Sequence, residues 1–193
     1  MPIPPERRPR LVRAGTVLLV ALVLAATAAC GSSDDSGGSA PTTLPPDMSE
    51  VQTFTGLTRL HVPGPVQYAQ TPPVGGDHLG GMLQNCGFYR EPVANELAVH
   101  SLEHGAVWVT YSPDLPASQL DILRDLAADQ SKVLVSAYPG LPSPVVASAW
   151  GKQLRLPSAG DRRLREFVNR YRENSDAPEP NAACEGSVGT PEG

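Results

Sequence analysis

Three of the chain's four histidines, with Met82, Cys86 and several acids, fall in one stretch, PPVGGDHLGGMLQNCGFYREPVANELAVHSLEHGAVWVTY, from Pro72 to Tyr111. The densest part is His100-Ser-Leu-Glu-His104. Residues four apart on a helix lie one turn apart on one face, so His100 and His104 can present two imidazoles to a single transition metal. His78 and Met82, upstream in the same stretch, are candidate additional ligands. Imidazole with thioether suits copper, and imidazole with a carboxylate such as Asp77 or Glu103 suits zinc. The proposed metal set is therefore His78, His100, His104 and Met82, with copper or zinc as the ion. The competing reading is purely structural. Neutral histidines often hydrogen-bond to loop carbonyls and a nearby carboxylate, and a methionine fills gaps in a core.

The same five residues fit H-x-x-E-H, the pattern of inverted zinc peptidases, in which Glu103 would act as general base on a zinc-bound water. The pattern is short, Gly105 ends the helix at once, and no downstream acidic ligand stands in a matching context. Glu103 is thus a weak catalytic candidate, and binding is favoured over catalysis. No G-x-S-x-G elbow, P-loop, G-x-G-x-x-G or C-x-x-C occurs in the sequence.

The elements that must position these residues follow from spacing and breakers. Pro72-Pro73, Gly75-Gly76 and Gly80-Gly81 predict a shaped loop over Thr71–Gly87. Ala94–His104 reads as a short helix with Asn95 as cap and Gly105 just past its end. AVWVTY, Ala106–Tyr111, reads as a strand. Ser118–Gln130 is a helix by its leucine spacing, with Ser118 as cap. Lys132–Tyr138 is a strand, Val145–Leu156 one or two strands, and Asp161–Arg172 a helix whose apolar face is Leu164, Phe167, Val168 and Tyr171. Upstream, Val51–Leu60 is ambiguous, His61-Val-Pro-Gly-Pro65 breaks it, and Val66–Tyr68 suggests a short strand. This order predicts a single compact α+β domain over residues 50–186, with a small, mostly antiparallel sheet and packed helices. Residues 187–193 are expected to be a disordered tail.

The N-terminus carries a different signal. A basic segment through Arg13 precedes sixteen uncharged, mostly apolar residues, Ala14–Ala29, a run short for a membrane span. That is the pattern of a secretory signal peptide, residues 1–29. The following Cys30 resembles the lipidated cysteine of a bacterial lipoprotein lipobox, although Thr27 stands where that pattern usually has Leu. The alternative is an uncleaved anchor. Residues 30–49, rich in Gly, Ser, Pro and Thr, form a flexible linker. The expected location is the cell envelope, on the outer face of the cytoplasmic membrane, with the lipid anchor as membrane partner.

Composition excludes one class of partner. The 193 residues include 15 basic and 20 acidic ones. Four arginines and one glutamate lie within the first thirty positions, so the remainder is more acidic than the whole. An acidic domain with only two lysines, Lys132 and Lys152, is a poor nucleic-acid binder. The arginines of 162–172 alternate with acids and read as a solvated helix face.

Outside the cytoplasm disulfides persist. With Cys30 lipidated, Cys86 and Cys184 remain as a pair, expected as a disulfide in preference to two free thiols or a thiolate metal ligand. Closing a loop of about 100 residues would contribute roughly 4–5 kcal/mol by chain entropy.

The motifs PPVGGDH, NCGFY, AVHSLEHGAVWVTY and ASAWG, the Phe167–Tyr171 segment and the late Cys184 together resemble a bacterial family known only as domain of unknown function 3105. The resemblance covers about residues 60–186. It picks out Pro72, Pro73, Gly76, His78, Cys86, Gly87, Tyr89, His100, Leu102, Glu103, His104 and Gly105. The family usually has Ser or Thr where Val74 or Gly75 stands. It implies an extracytoplasmic or membrane-tethered domain and brings no activity with it. The function expected is a cell-envelope lipoprotein domain binding copper or zinc. A structural or interaction lipoprotein and a zinc-dependent hydrolase using Glu103 are the alternatives.

Overall fold

The apolar runs of the sequence become the middle of a sheet. The computed structural model describes residues 46–192, so the signal segment and Cys30 lie outside the described residues. Six strands and three helices follow in the order β1 (Gln52–Thr53), β2 (Gly87–Tyr89), α1 (Asn95–Glu103), β3 (Val107–Tyr111), α2 (Ala117–Asp129), β4 (Val133–Ala137), β5 (Val145–Ala149), β6 (Lys152–Leu156) and α3 (Arg162–Tyr171). The strands form one sheet in the order β1-β6-β5-β3-β4-β2. The β1–β6, β5–β6 and β3–β5 pairs are antiparallel, while β3–β4 and β2–β4 are parallel. Three of the five pairings thus bear out a mostly antiparallel sheet in an α+β domain. A parallel pair needs a crossover, and α2 supplies it between β3 and β4.

Every residue of β3, β4 and β5 is buried, because helices cover both faces of the sheet. Successive side chains alternate between faces. Val107, Val109 and Tyr111 pack with Leu123 and Leu126 of α2 and with Leu164, Phe167 and Val168 of α3. Trp108, between them, packs on the other side with Ala98, Val99 and Leu102 of α1. A nine-residue helix is marginal in isolation. Fully burying Val99 and Leu102 contributes roughly 1.5–3 kcal/mol each, and that packing holds α1 on the sheet.

Several local expectations are corrected. Ala94, not Asn95, is the N-cap of α1, and no side chain caps it. The N-cap of α2 is Pro116 rather than Ser118. Asp161 caps α3, accepting from the Arg163 amide. Val66–Tyr68 forms no strand; Glu96 of α1 instead accepts from the Val66 amide at 2.9 Å. The short strand β2 is unforeseen. Residues 187–192 are not a disordered tail. Val188 bridges Gln84, Glu192 bridges Phe88, and the Ser187 amide donates to Asn85 at 2.8 Å. Unpaired backbone groups of the 83–88 segment satisfy that tail. At the other boundary, Met48 already packs against the core, so the last linker residues belong to the domain.

Cys86 and Cys184 are joined in a disulfide with Cα atoms 5.5 Å apart. The bond fastens a C-terminal strap, residues 173–192, across the C-terminal end of α1. Within it the Glu173 amide donates to the Gly105 carbonyl and the Glu179 amide to the Glu103 carbonyl. Gly105 has φ 84°, and a Cβ there would lie 3.0 Å from the Pro180 carbonyl oxygen, so the strap's path requires glycine.

Candidate metal centre

The helix α1 is sandwiched between the sheet and the 71–86 loop. Its apolar side takes the sheet, and its His100 and Glu103, three apart, share the other side. The loop is tied down along the helix: the Ser101 hydroxyl donates to the Gln84 carbonyl at 2.6 Å, and the Gln84 amide to the Leu97 carbonyl at 3.1 Å.

His78 reaches the site from the loop on a fixed backbone. Its amide donates to the Leu60 carbonyl (3.0 Å), and its carbonyl accepts from the Val62 amide (2.8 Å). These two bonds make an isolated parallel bridge between His61 and His78. The same pairing brings His61, seventeen positions upstream, to the cluster.

The hydrogen bonds orient the rings. His78 Nδ1 donates to the Gly76 carbonyl at 2.8 Å, because a carbonyl can only accept, and its Nε2 meets Glu103 Oε2 at 2.9 Å. His100 Nδ1 donates to the carbonyls of Met82 (2.8 Å) and Leu79 (3.0 Å), leaving Nε2 as its one available ligand atom. Burial is the main cause that pushes the His100 pKa below the ordinary imidazole value, with His104 and His78 nearby acting in the same direction. That ring is therefore neutral and keeps a lone pair. His61 Nε2 lies 3.4 Å from the same Glu103 oxygen. Backbone carbonyls holding Nδ1–H while Nε2 faces inward is the outer-shell arrangement of metal-ligating histidines.

The three rings form a near-equilateral triangle. Their centres are 4.9 Å apart for His61–His78, 5.0 Å for His78–His100 and 5.2 Å for His61–His100. Ligand atoms from His61, His78, His100 and Glu103 all lie within 4.8 Å of one another. This His/Glu group can hold a metal ion.

The structure thus brings together His78 and His100 of the expected set with Glu103, one of the two carboxylates the sequence offered for zinc, and adds His61. His104 stands apart from the group. Its ring is 4.7 Å from His100, but its Nδ1 donates to the Ala183 carbonyl at 2.6 Å and its Nε2 lies 3.6 Å from Glu179. It is the C-cap residue of α1, where the strap passes, and both nitrogens serve the strap. Met82 is 47% exposed, and what it contributes is its backbone carbonyl to His100. Asp77 accepts from the Leu60 amide at 3.0 Å and supports the backbone of the site. Glu103, read from the sequence as a weak candidate base, has its carboxylate engaged by two histidines. His61 was missed because it stands alone in a Pro/Gly-broken segment. Its only signal is its type, as the remaining histidine of the chain.

An α+β domain with a mixed sheet, a disulfide-fastened strap and a His/Glu group buried at three of its four members is the class that fold and site define. Residues 61–186 match the family described as a protein of unknown function, DUF3105, and the chain belongs to that family. The match begins at His61 itself. No curated protein and no solved structure matches the chain.

Proposed function

We propose that the domain binds one divalent transition-metal ion through His61, His78, His100 and Glu103, and does so in the cell envelope, on a lipid anchor at Cys30. The observation that carries this reading is the triangle of imidazoles with its carbonyl-oriented nitrogens. With zinc–nitrogen bonds of about 2.0–2.1 Å, tetrahedral imidazoles have ring centres about 5 Å apart. The observed separations, 4.9–5.2 Å, match that spacing. The ligand atoms, spread over up to 4.8 Å, draw in to the spacing of about 3.4 Å that tetrahedral bonds of that length require, by small side-chain rotations.

Three imidazoles and a carboxylate favour zinc, with copper(II) as second choice; the exposed Met82 thioether argues against a copper(I) site. A cation between His78 Nε2 and Glu103 also takes the place of the proton that must otherwise stand there, since His78 Nδ1 already carries one for Gly76. The test is metal analysis of the detergent-solubilised full-length chain. One zinc per chain, lost in His78→Ala and His100→Ala, supports the reading; a wild-type chain holding neither zinc nor copper at micromolar concentrations refutes it.

One observation favours the structural alternative. Among the described residues no buried side-chain nitrogen or oxygen lacks a hydrogen-bond partner, so the cluster satisfies itself without an ion. In that case the histidines act only to hold the loop on α1. A hydrolase using Glu103 is less well supported, since a base must be free to take a proton and this carboxylate is a ligand.

A further inference from the structure

The four donors are not equivalent. The side chains of His78 and Glu103 are 0% and 5% exposed, whereas that of His61 is 52% exposed. His78 and His100 have Nδ1 fixed by backbone carbonyls; His61 has no hydrogen bond among the described residues other than that to Glu103. Its neighbours from Thr58 to Pro65 are exposed, except for the half-buried Val62. The backbone here is nevertheless pinned to His78 and Asp77 on either side of the ring. The imidazole can therefore swing outward about its own side-chain bonds while the main chain stays in place. On the inner side it lies against Gly80, where an added Cβ would come within 2.8 Å of the His61 Cβ.

From this asymmetry we infer that His61 is the exchangeable ligand, and that the metal centre opens at its position to an outside neutral donor while His78, His100 and Glu103 retain the ion. The inference rests on the metal-binding reading above and specifies it. Three protein ligands with an exchangeable fourth position is the coordination of a centre that binds something, whereas four fixed ligands make a structural site. Outer-shell bonds set how firmly a histidine is held, and His61 lacks one. The ligand class is a neutral nitrogen or oxygen base. A divalent ion with the Glu103 carboxylate keeps one net positive charge, and the Asp77 carboxylate, bonded to the amide next to His61, offsets it, so an anion gains no net attraction over a neutral donor there. The exposed Leu60 (63%) beside His61 suits a donor carried on an apolar body, such as an imidazole side chain or a small heteroaromatic molecule.

The experiment uses the detergent-solubilised full-length chain loaded with cobalt(II), a spectroscopic stand-in for zinc, in wild type, His61→Gly and His100→Ala. His61→Gly is expected to keep one cobalt per chain with affinity reduced about 10–100-fold. Millimolar imidazole then restores the affinity and shifts the visible bands, while azide does neither. Excess imidazole also shifts the bands of the wild type by displacing His61, which is a readout independent of the variant's folding. If His61→Gly loses cobalt as completely as His100→Ala, or if imidazole leaves both spectra unchanged, His61 is a fixed ligand and the inference is overturned. Rescue by azide in place of imidazole overturns the neutral-donor class. A wild type that binds no cobalt and no zinc overturns the metal reading itself, a different outcome from either.

Discussion

The sharpest perturbation compares His100 with His104, four residues apart in sequence and given opposite roles by the proposed metal site. A ligand that binds only the folded state stabilises it by RT ln(1 + [L]/Kd), about 2.7 kcal/mol at a free concentration 100 times Kd. In a domain of this size 1 kcal/mol shifts the melting temperature by about 2–4 °C, so zinc should raise Tm by about 5–11 °C. Replacing His100 by Ala removes a ligand and also leaves the Leu79 and Met82 carbonyls without their donor, costing about 1–3 kcal/mol for each group left buried. The metal-free Tm therefore falls as well, and the informative quantity is the zinc-induced increment in each variant. With affinity down 100-fold at the same free zinc, the increment shrinks to about 0.4 kcal/mol, or about 1 °C. His104→Ala should lower the metal-free Tm by loosening the strap yet keep the full increment. Differential scanning fluorimetry across a zinc titration reads both. An increment that survives in His100→Ala and vanishes in His104→Ala would refute the assignment of ligands.

Other consequences can be checked separately. Glu103→Gln preserves the shape of the side chain but removes its charge, and zinc affinity by isothermal calorimetry should drop at least about tenfold, with the fold retained by circular dichroism. Gly80→Ala places a methyl group 2.8 Å from the His61 Cβ, a clash that turning the ring cannot relieve, so the His61–His78 pairing must shift. Zinc binding should weaken and the metal-free Tm should fall, whereas wild-type zinc affinity and Tm would contradict the packing described. The paired change Cys86→Ser with Cys184→Ser should cost about 4–5 kcal/mol in chemical denaturation, since it opens a 98-residue loop. Asp161→Ala should cost about 1 kcal/mol through loss of the α3 cap. The Arg163 guanidinium holds the Asp161 carboxyl below its ordinary value. A depressed folded pKa contributes stability that is full above pH of about 4 and disappears as pH falls through the folded value, so the wild-type and Asp161→Ala stabilities should converge in acid.

Much of the scaffold was legible because the signals were periodic. The leucines of α2, the apolar face of α3 and the β-branched run of β3 each announce their element without help from the rest of the chain. The disulfide was legible by elimination once Cys30 was set aside. What escaped is tertiary in origin. Gly87–Tyr89 carries no strand pattern, and it becomes β2 only because β4 offers it a parallel edge. Residues 187–192 look like tail by composition, yet the backbone of 83–88 needs partners and takes them. His61 belongs to the site solely through its bridge with His78, which no local rule foretells. His104 shows the converse: a four-residue spacing places two imidazoles on one helical face, but the helix stops at Glu103 and the spacing of three decides which residues face the loop.

The strap has a consequence for how the site comes to exist. The carbonyls of Glu103 and Gly105 at the end of α1 receive amides from Glu179 and Glu173, the Lys132 ammonium bonds both the His104 and Pro180 carbonyls, and the His61 edge is fixed from the opposite sequence direction. In terms of folding kinetics, the ligand-bearing helix sits at the junction of contacts with high sequence separation, the kind that carry a loop-closure cost and form late. The donors His100 and Glu103 share one turn of a helix that is marginal until it packs on the sheet, and their partners arrive from both flanks. A chain cut short before the strap forfeits the disulfide along with these bonds and should therefore lack an assembled centre, which makes the centre a reporter of completed folding.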